Sequence, residues 1–118
     1  MTKHQLRLDD YLKHIAQAIE RIESYLEDCD QLIFNSKTMI QDAVIRNFEI
    51  IGEASRNIER LYPEFIDKNP DIPFLDAYEM RNALSHGYFK VDLDILWTTI
   101  HFNLPILKTQ IDQLLNKP

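Results

Sequence analysis

An antiparallel four-helix bundle, all-α with a kinked last helix, is the fold class this sequence predicts, and three observations carry the prediction. Only two glycines occur in 118 residues, which leaves little material for hairpin turns. Leu, Ile, Glu, Lys and Gln are abundant and suit helices far better than turns. Apolar residues recur three and four apart over long stretches, the spacing that lines one face of an α-helix. A chain of this length should form one domain, residues 1–118, with one core that buries roughly 65% of the surface exposed by the unfolded chain.

The first helix is expected from about Leu8 to Asp28, where Leu8, Leu12, Ile15, Ile19, Ile22 and Leu26 draw a narrow stripe. Ser36 can cap a second helix. That helix carries Ile40, Val44, Phe48, Ile51, Ser55 and Ile58 on one line and Ala43, Ile50, Ala54 and Leu61 on another. So wide a stripe implies burial on two sides, one against the core and the other against more core or a partner subunit. Gly52, Ala54 and Ser55 lie at its middle, where small side chains admit another helix from the same subunit or from a second copy. Residues 62–73, with Pro63, Pro70 and Pro73, read as the longest loop, because proline lacks a donor and disfavours helix in the residue before it. A short helix follows from about Phe74 to Ser85 or His86, with Gly87 where a helix-ending residue of positive φ belongs. Asp92 is a suitable cap for the last helix, which repeats Leu93, Trp97, Ile100, Leu104, Leu107, Ile111 and Leu114. Pro105 should kink it near His101, since the ring collides with the carbonyl four residues earlier.

The formal charge of -6 argues against a surface that holds nucleic acid indiscriminately, so any RNA contact must be local or made in a composite site. One cysteine, Cys29, excludes an intrachain disulfide and any multi-cysteine metal site and suits a reducing cytosol, where it reads as an inert helix-end residue. No apolar leader or membrane-length run is visible, so the expectation is a soluble cytoplasmic protein. His4, His14 and His101 show no paired metal-ligand spacing, no metal or other cofactor is expected, and no Gly-rich phosphate loop occurs.

The segment Met80-Arg81-Asn82-Ala83-Leu84-Ser85-His86-Gly87-Tyr88 is where chemistry concentrates. Taken singly, Arg81 would be an ion-pair partner for Glu79, Glu53 or Asp76, His86 a helix-end stabiliser and Tyr88 a half-buried packing residue. Together they resemble the Arg, polar residue, His, Tyr pattern of the HepT proteins in the HEPN superfamily of ribonucleases. The likeness extends to Ala43 through Ala54, which includes Gly52-Glu53-Ala54, and to Val91-Asp92 followed by Trp97, in the same order along nearly the whole chain.

The physical reading agrees with that resemblance. RNA is cleaved without metal when its own 2′-hydroxyl attacks the adjacent phosphate, which needs a proton acceptor, a proton donor and a cation. His86 can move protons, and the helix end favours its imidazolium form. Arg81 offers a planar fork matched to phosphate oxygens. Residues five apart on a helix are about 140° apart around its axis, so the two converge only if the helix loosens at His86 or if two copies face each other.

The resemblance implies a homodimer whose shared cleft holds Arg81 and His86, with Asn82 and Glu53 in support. It implies RNA as substrate and, as partner, a nucleotidyltransferase antitoxin of the MntA kind that transfers AMP to the motif tyrosine, here Tyr88. The alternative is a non-catalytic helical module that only binds such a nucleotidyltransferase.

Overall fold

The computed structural model describes residues 3–86 and 92–116. They form α1 (Lys3–Tyr25), α2 (Gln31–Ser36), α3 (Thr38–Leu61), α4 (Pro63–Lys68), α5 (Phe74–His86), α6 (Leu93–Thr98), a π-helical turn (Thr99–Asn103) and α7 (Leu104–Leu115). The fold is an all-α bundle with no strand among the described residues. α3 is its axis: it packs against α1 and α5, and α7 closes onto α1.

The stripes read from the sequence are the core. Leu12, Ile15, Ile19, Ile22 and Leu26 from α1 and the turn after it, Val44, Phe48, Ile51, Ser55 and Ile58 from α3, and Leu104, Leu107 and Ile111 from α7 are all buried. Each large aliphatic side chain buried there stabilises the fold by about 1.5–3 kcal/mol over its exposed state. The second line on α3 divides, for Ala54 is buried while Leu61 is exposed.

Several boundaries differ from expectation. α1 starts at Lys3 and stops at Tyr25, three residues before Asp28, which adopts a left-handed φ of 61° and turns the chain; Asp tolerates that region better than most side chains. Ser36 does not cap α3. It is the last residue of α2, and its hydroxyl donates back to the Ile33 carbonyl at 2.9 Å; α3 begins after Lys37 with no side-chain cap. The cap in this region is Asp30, which accepts from the Ile33 amide at 2.8 Å and starts α2. This short helix was not legible as a periodic segment, yet it delivers Phe34 to the core beside Trp97, with ring centroids 5.4 Å apart.

Residues 62–73 are likewise not all loop. Pro63 stands in the first turn of α4, where its missing N–H would have had no helical partner in any case. The last helix starts at the expected cap, Asp92, whose carboxylate accepts from the Asp94 and Ile95 amides at 3.0 and 3.1 Å. It does not run on as one α-helix. The turn Thr99–Asn103 widens to π spacing, the Leu104 amide reaching back to the Thr99 carbonyl, just ahead of Pro105. The expected disturbance at His101 is thus a local π turn, a usual way of absorbing a residue that cannot join the ladder.

Candidate active site

α5 brings Arg81 to the middle of α3, and one glycine permits it. A β-carbon on Gly52 would stand 2.2 Å from Cβ and 2.7 Å from Cγ of Arg81, and 3.1 Å from the Ala77 carbonyl oxygen. No side chain fits in that space. Gly52 therefore serves packing within the subunit, with Arg81 seated on it. α5 itself has little amphipathic character; apart from buried Phe74, it contributes the half-buried Ala77, Met80 and Leu84 to the core.

The Arg81 side chain is partly buried. Its Nη1 donates to Asn82 Oδ1 at 3.0 Å, while its Nε is buried with no hydrogen-bond partner among the described residues. None of the ion pairs with Glu79, Glu53 or Asp76 that the sequence allowed is formed. Glu53 is exposed, one residue beyond Gly52, and lines the same polar cavity as Arg81. The supporting pair named from sequence is thus close to Arg81, Asn82 by a direct bond and Glu53 across a cavity.

That cavity, of ≈ 310 Å³, is lined by Glu53, Arg56, Asn57 and Arg60 of α3 and by Tyr78 and Arg81 of α5. The guanidinium of Arg56 lies over the Tyr78 ring, 4.7 Å from its centroid. Arg60 Nη2 reaches Asn57 Oδ1 at 3.4 Å, a long and weak contact. Sequence reading passed over Arg56, Arg60 and Tyr78. Their signal was present, since Glu53, Arg56 and Arg60 recur at helical spacing and Tyr78 precedes Arg81 by one turn.

The backbone of α5 stays helical through His86, its last residue. The loosening at His86 that could have swung it towards Arg81 is not present in the helix. The His86 side chain, Gly87 with its expected positive φ, and Tyr88 lie outside the described residues. The remaining histidines whose side chains are described have local roles. His101 Nδ1 lies 2.9 Å from the Trp97 carbonyl, which can only accept, so this nitrogen carries the proton; His14 packs edge-on to Tyr11 at 6.3 Å. Cys29 is partly buried, and burial pushes its thiol above the ordinary value, which holds it in the unreactive form. Among the described residues no three His, Cys, Asp or Glu side chains gather to hold a metal ion, and no helix is long and apolar enough to cross a membrane.

Comparison with known proteins places this geometry in context. The family model "Ribonuclease HepT-like" matches residues 15–114. A protein of Thermococcus cleftensis named "Probable ribonuclease HepT" is 42% identical over 107 residues, covering 89% of this chain and 93% of the relative. A Methanocaldococcus jannaschii protein named "Gamma-glutamylcyclotransferase and putative RNase" is 40% identical over 91% of this chain, which spans 47% of that longer relative. A second protein of that organism, named as a "putative RNase", is 34% identical over 86% of this chain and 91% of its own length. No solved structure matches.

Proposed function

We infer, from the premise that this chain belongs to the HepT-like ribonuclease family, that it is a metal-independent RNA endonuclease acting as the toxin of a toxin–antitoxin pair. The observation that carries this is Arg81: a cation seated on Gly52, on the wall of a polar cavity, its Nε buried with no hydrogen-bond partner and its charge in no ion pair among the described residues. A guanidinium held in place with donors to spare suits the developing charge on a phosphate.

The reaction needs no external nucleophile. A base takes the 2′-hydroxyl proton as the 2′-oxygen bonds to phosphorus. The bond from phosphorus to the 5′-oxygen breaks, and an acid protonates that oxygen, leaving a 2′,3′-cyclic phosphate and a 5′-hydroxyl. His86 moves the protons and Arg81 holds the phosphate. One imidazole cannot be acid and base in the same step, and an α5 that is helical through His86 turns the two residues about 140° apart on one copy. Both points favour a two-fold dimer in which each active centre draws on both copies. Tyr88, two residues beyond His86, is the AMP acceptor for a nucleotidyltransferase antitoxin. The added phosphate and nucleoside would repel and block RNA there.

His86→Ala and Arg81→Ala should each lower RNA cleavage by ~10²-fold or more, about 2.7 kcal/mol of barrier, while the helical circular dichroism stays unchanged. Cleavage should persist in chelator. Activity that vanishes with chelator and returns with magnesium would overturn the mechanism. Wild-type levels of cleavage by His86→Ala would leave the family's chemistry to other residues.

A further inference from the structure

We propose that the cavity between α3 and α5 is the docking track for the single-stranded RNA flanking the cleaved phosphate, with Arg56 and Arg60 binding successive phosphates and Tyr78 supporting a base. This rests on the ribonuclease reading and adds to it residues that hold substrate without taking part in the chemistry.

The charge balance is the first argument. The whole chain carries -6, yet this cavity is lined by three arginines against one carboxylate, Glu53. An acidic protein that must hold a polyanion needs its basic surface concentrated where the substrate lies. Among the described residues none of the three arginines is engaged in an ion pair. Arg56 and Arg60 are exposed, so their guanidinium groups remain open to an incoming phosphate.

Geometry is the second argument. Arg56 and Arg60 stand four residues apart on α3, about 6 Å along its axis, a step comparable to that between neighbouring phosphates in an extended strand. Arg81 lies across the cavity on α5, so phosphates bound on α3 would adjoin the one at Arg81. The cation–π contact of Arg56 with Tyr78 engages no hydrogen-bond acceptor, so the guanidinium keeps N–H donors for phosphate oxygens. Tyr78 is partly buried. A cation and an aromatic ring in one groove are the usual ingredients of sequence-tolerant single-strand binding.

The test is binding of a fluorescent, uncleavable 2′-O-methyl RNA twelve-mer to the full chain, followed by anisotropy across a salt series. Arg56→Gln with Arg60→Gln should weaken binding about tenfold or more at low salt and flatten the log–log salt slope by about 1.4, the release expected for two single-strand phosphates. Tyr78→Leu should weaken binding about tenfold with the slope unchanged. A control with Arg21→Gln and Lys37→Gln removes the same charge away from the cavity and should bind like wild type. Equal weakening in groove and control variants would reduce the effect to net charge and overturn the proposal. So would unaltered RNA binding in the groove variant, including the case where that variant loses only a nucleotidyltransferase partner. Cleavage by the wild-type chain, measured alongside on unmodified RNA, separates the two failures: cleavage without a groove effect defeats the track alone, whereas absence of both cleavage and binding defeats the ribonuclease reading.

Discussion

Gly52→Ala sets two known effects against each other. On an isolated helix the change would help by about 1 kcal/mol, because alanine loses less backbone freedom than glycine. Here the new methyl would stand 2.2 Å from Arg81 Cβ and 3.1 Å from the Ala77 carbonyl oxygen. Non-bonded carbons rest at about 3.5–4.0 Å, so α5 must retreat by roughly 1.5 Å or turn about its axis. No rotamer of Arg81 relieves the overlap, since its Cβ is fixed to the backbone. Overpacking generally costs about 1–3 kcal/mol, and a clash between groups anchored on two helix backbones belongs at the upper end. The net loss should be about 1–2 kcal/mol, or roughly 4–10 °C in Tm for a chain of this size. Arg81 would move with α5, and a misplacement of about 1 Å in a positioning group can cost ~10²-fold in rate. Thermal unfolding and RNA cleavage measured on the same preparation decide the matter. A Tm at or above wild type with full cleavage would show that helix propensity wins and that the close approach of α5 is not what sets Arg81.

Three further outcomes follow from the same structure. The purified chain should sediment at about twice 14.0 kDa, and a monomer at micromolar concentration would remove the shared cleft. With a nucleotidyltransferase partner and ATP, wild type should gain mass in AMP units and lose toxicity while Tyr88→Phe does neither; an identical gain on the Phe variant would move the acceptor elsewhere. Lys108 bonds to Asp112 on its own helix and pairs with Glu20 of α1 at 3.4 Å, so Lys108→Met should cost about 0.5–1.5 kcal/mol at pH 7. The hydrogen bond to Asp112 leads in raising the lysine above its ordinary 10.5. Its contribution is therefore complete below that value and fades as pH climbs through the raised one, so the gap between wild type and variant should close only in strongly alkaline buffer.

What the sequence disclosed was whatever periodicity encodes. The stripes of α1, α3 and α7 were legible because burial on one face repeats every three or four residues, and Asp92 was legible because a capping carboxylate immediately precedes its helix. α2 and α4 were hidden because six residues give too little repetition to read. α4 was hidden further by the prolines that frame it, for proline marks a helix start as readily as a helix end. Gly52 shows a different limit. Its smallness announced a close approach, but the identity of the approaching helix depends on how α5 folds back, which residue spacing does not carry. The spacing of Arg56 and Arg60 on α3 and of Tyr78 before Arg81 on α5 marks two helix faces, but that these faces line one cavity is not in the spacing, since two helices must meet before their polar edges do.

The way α5 is held has a consequence for the chemistry. A helix with a strong apolar stripe is fixed along its whole length, so a change at one contact is shared among many. α5 has little such stripe, and at Arg81 it approaches Gly52 of α3 too closely for any side chain to fit between them. The residue that presents the guanidinium is therefore also one of those that set where its helix lies. This couples the placement of Arg81 to the middle of α3, which also carries Glu53 one residue on from Gly52, and Arg56 and Arg60 about one and two turns along. Substitutions that alter packing around Gly52 should move Arg81 relative to those three groups, whereas exposed substitutions at either end of α3 should leave their relative positions alone. Arg81, seated on a glycine, is thereby positioned by packing against the backbone of α3, with no ion pair to a carboxylate among the described residues, and on the proposed reading that leaves its charge for the phosphate.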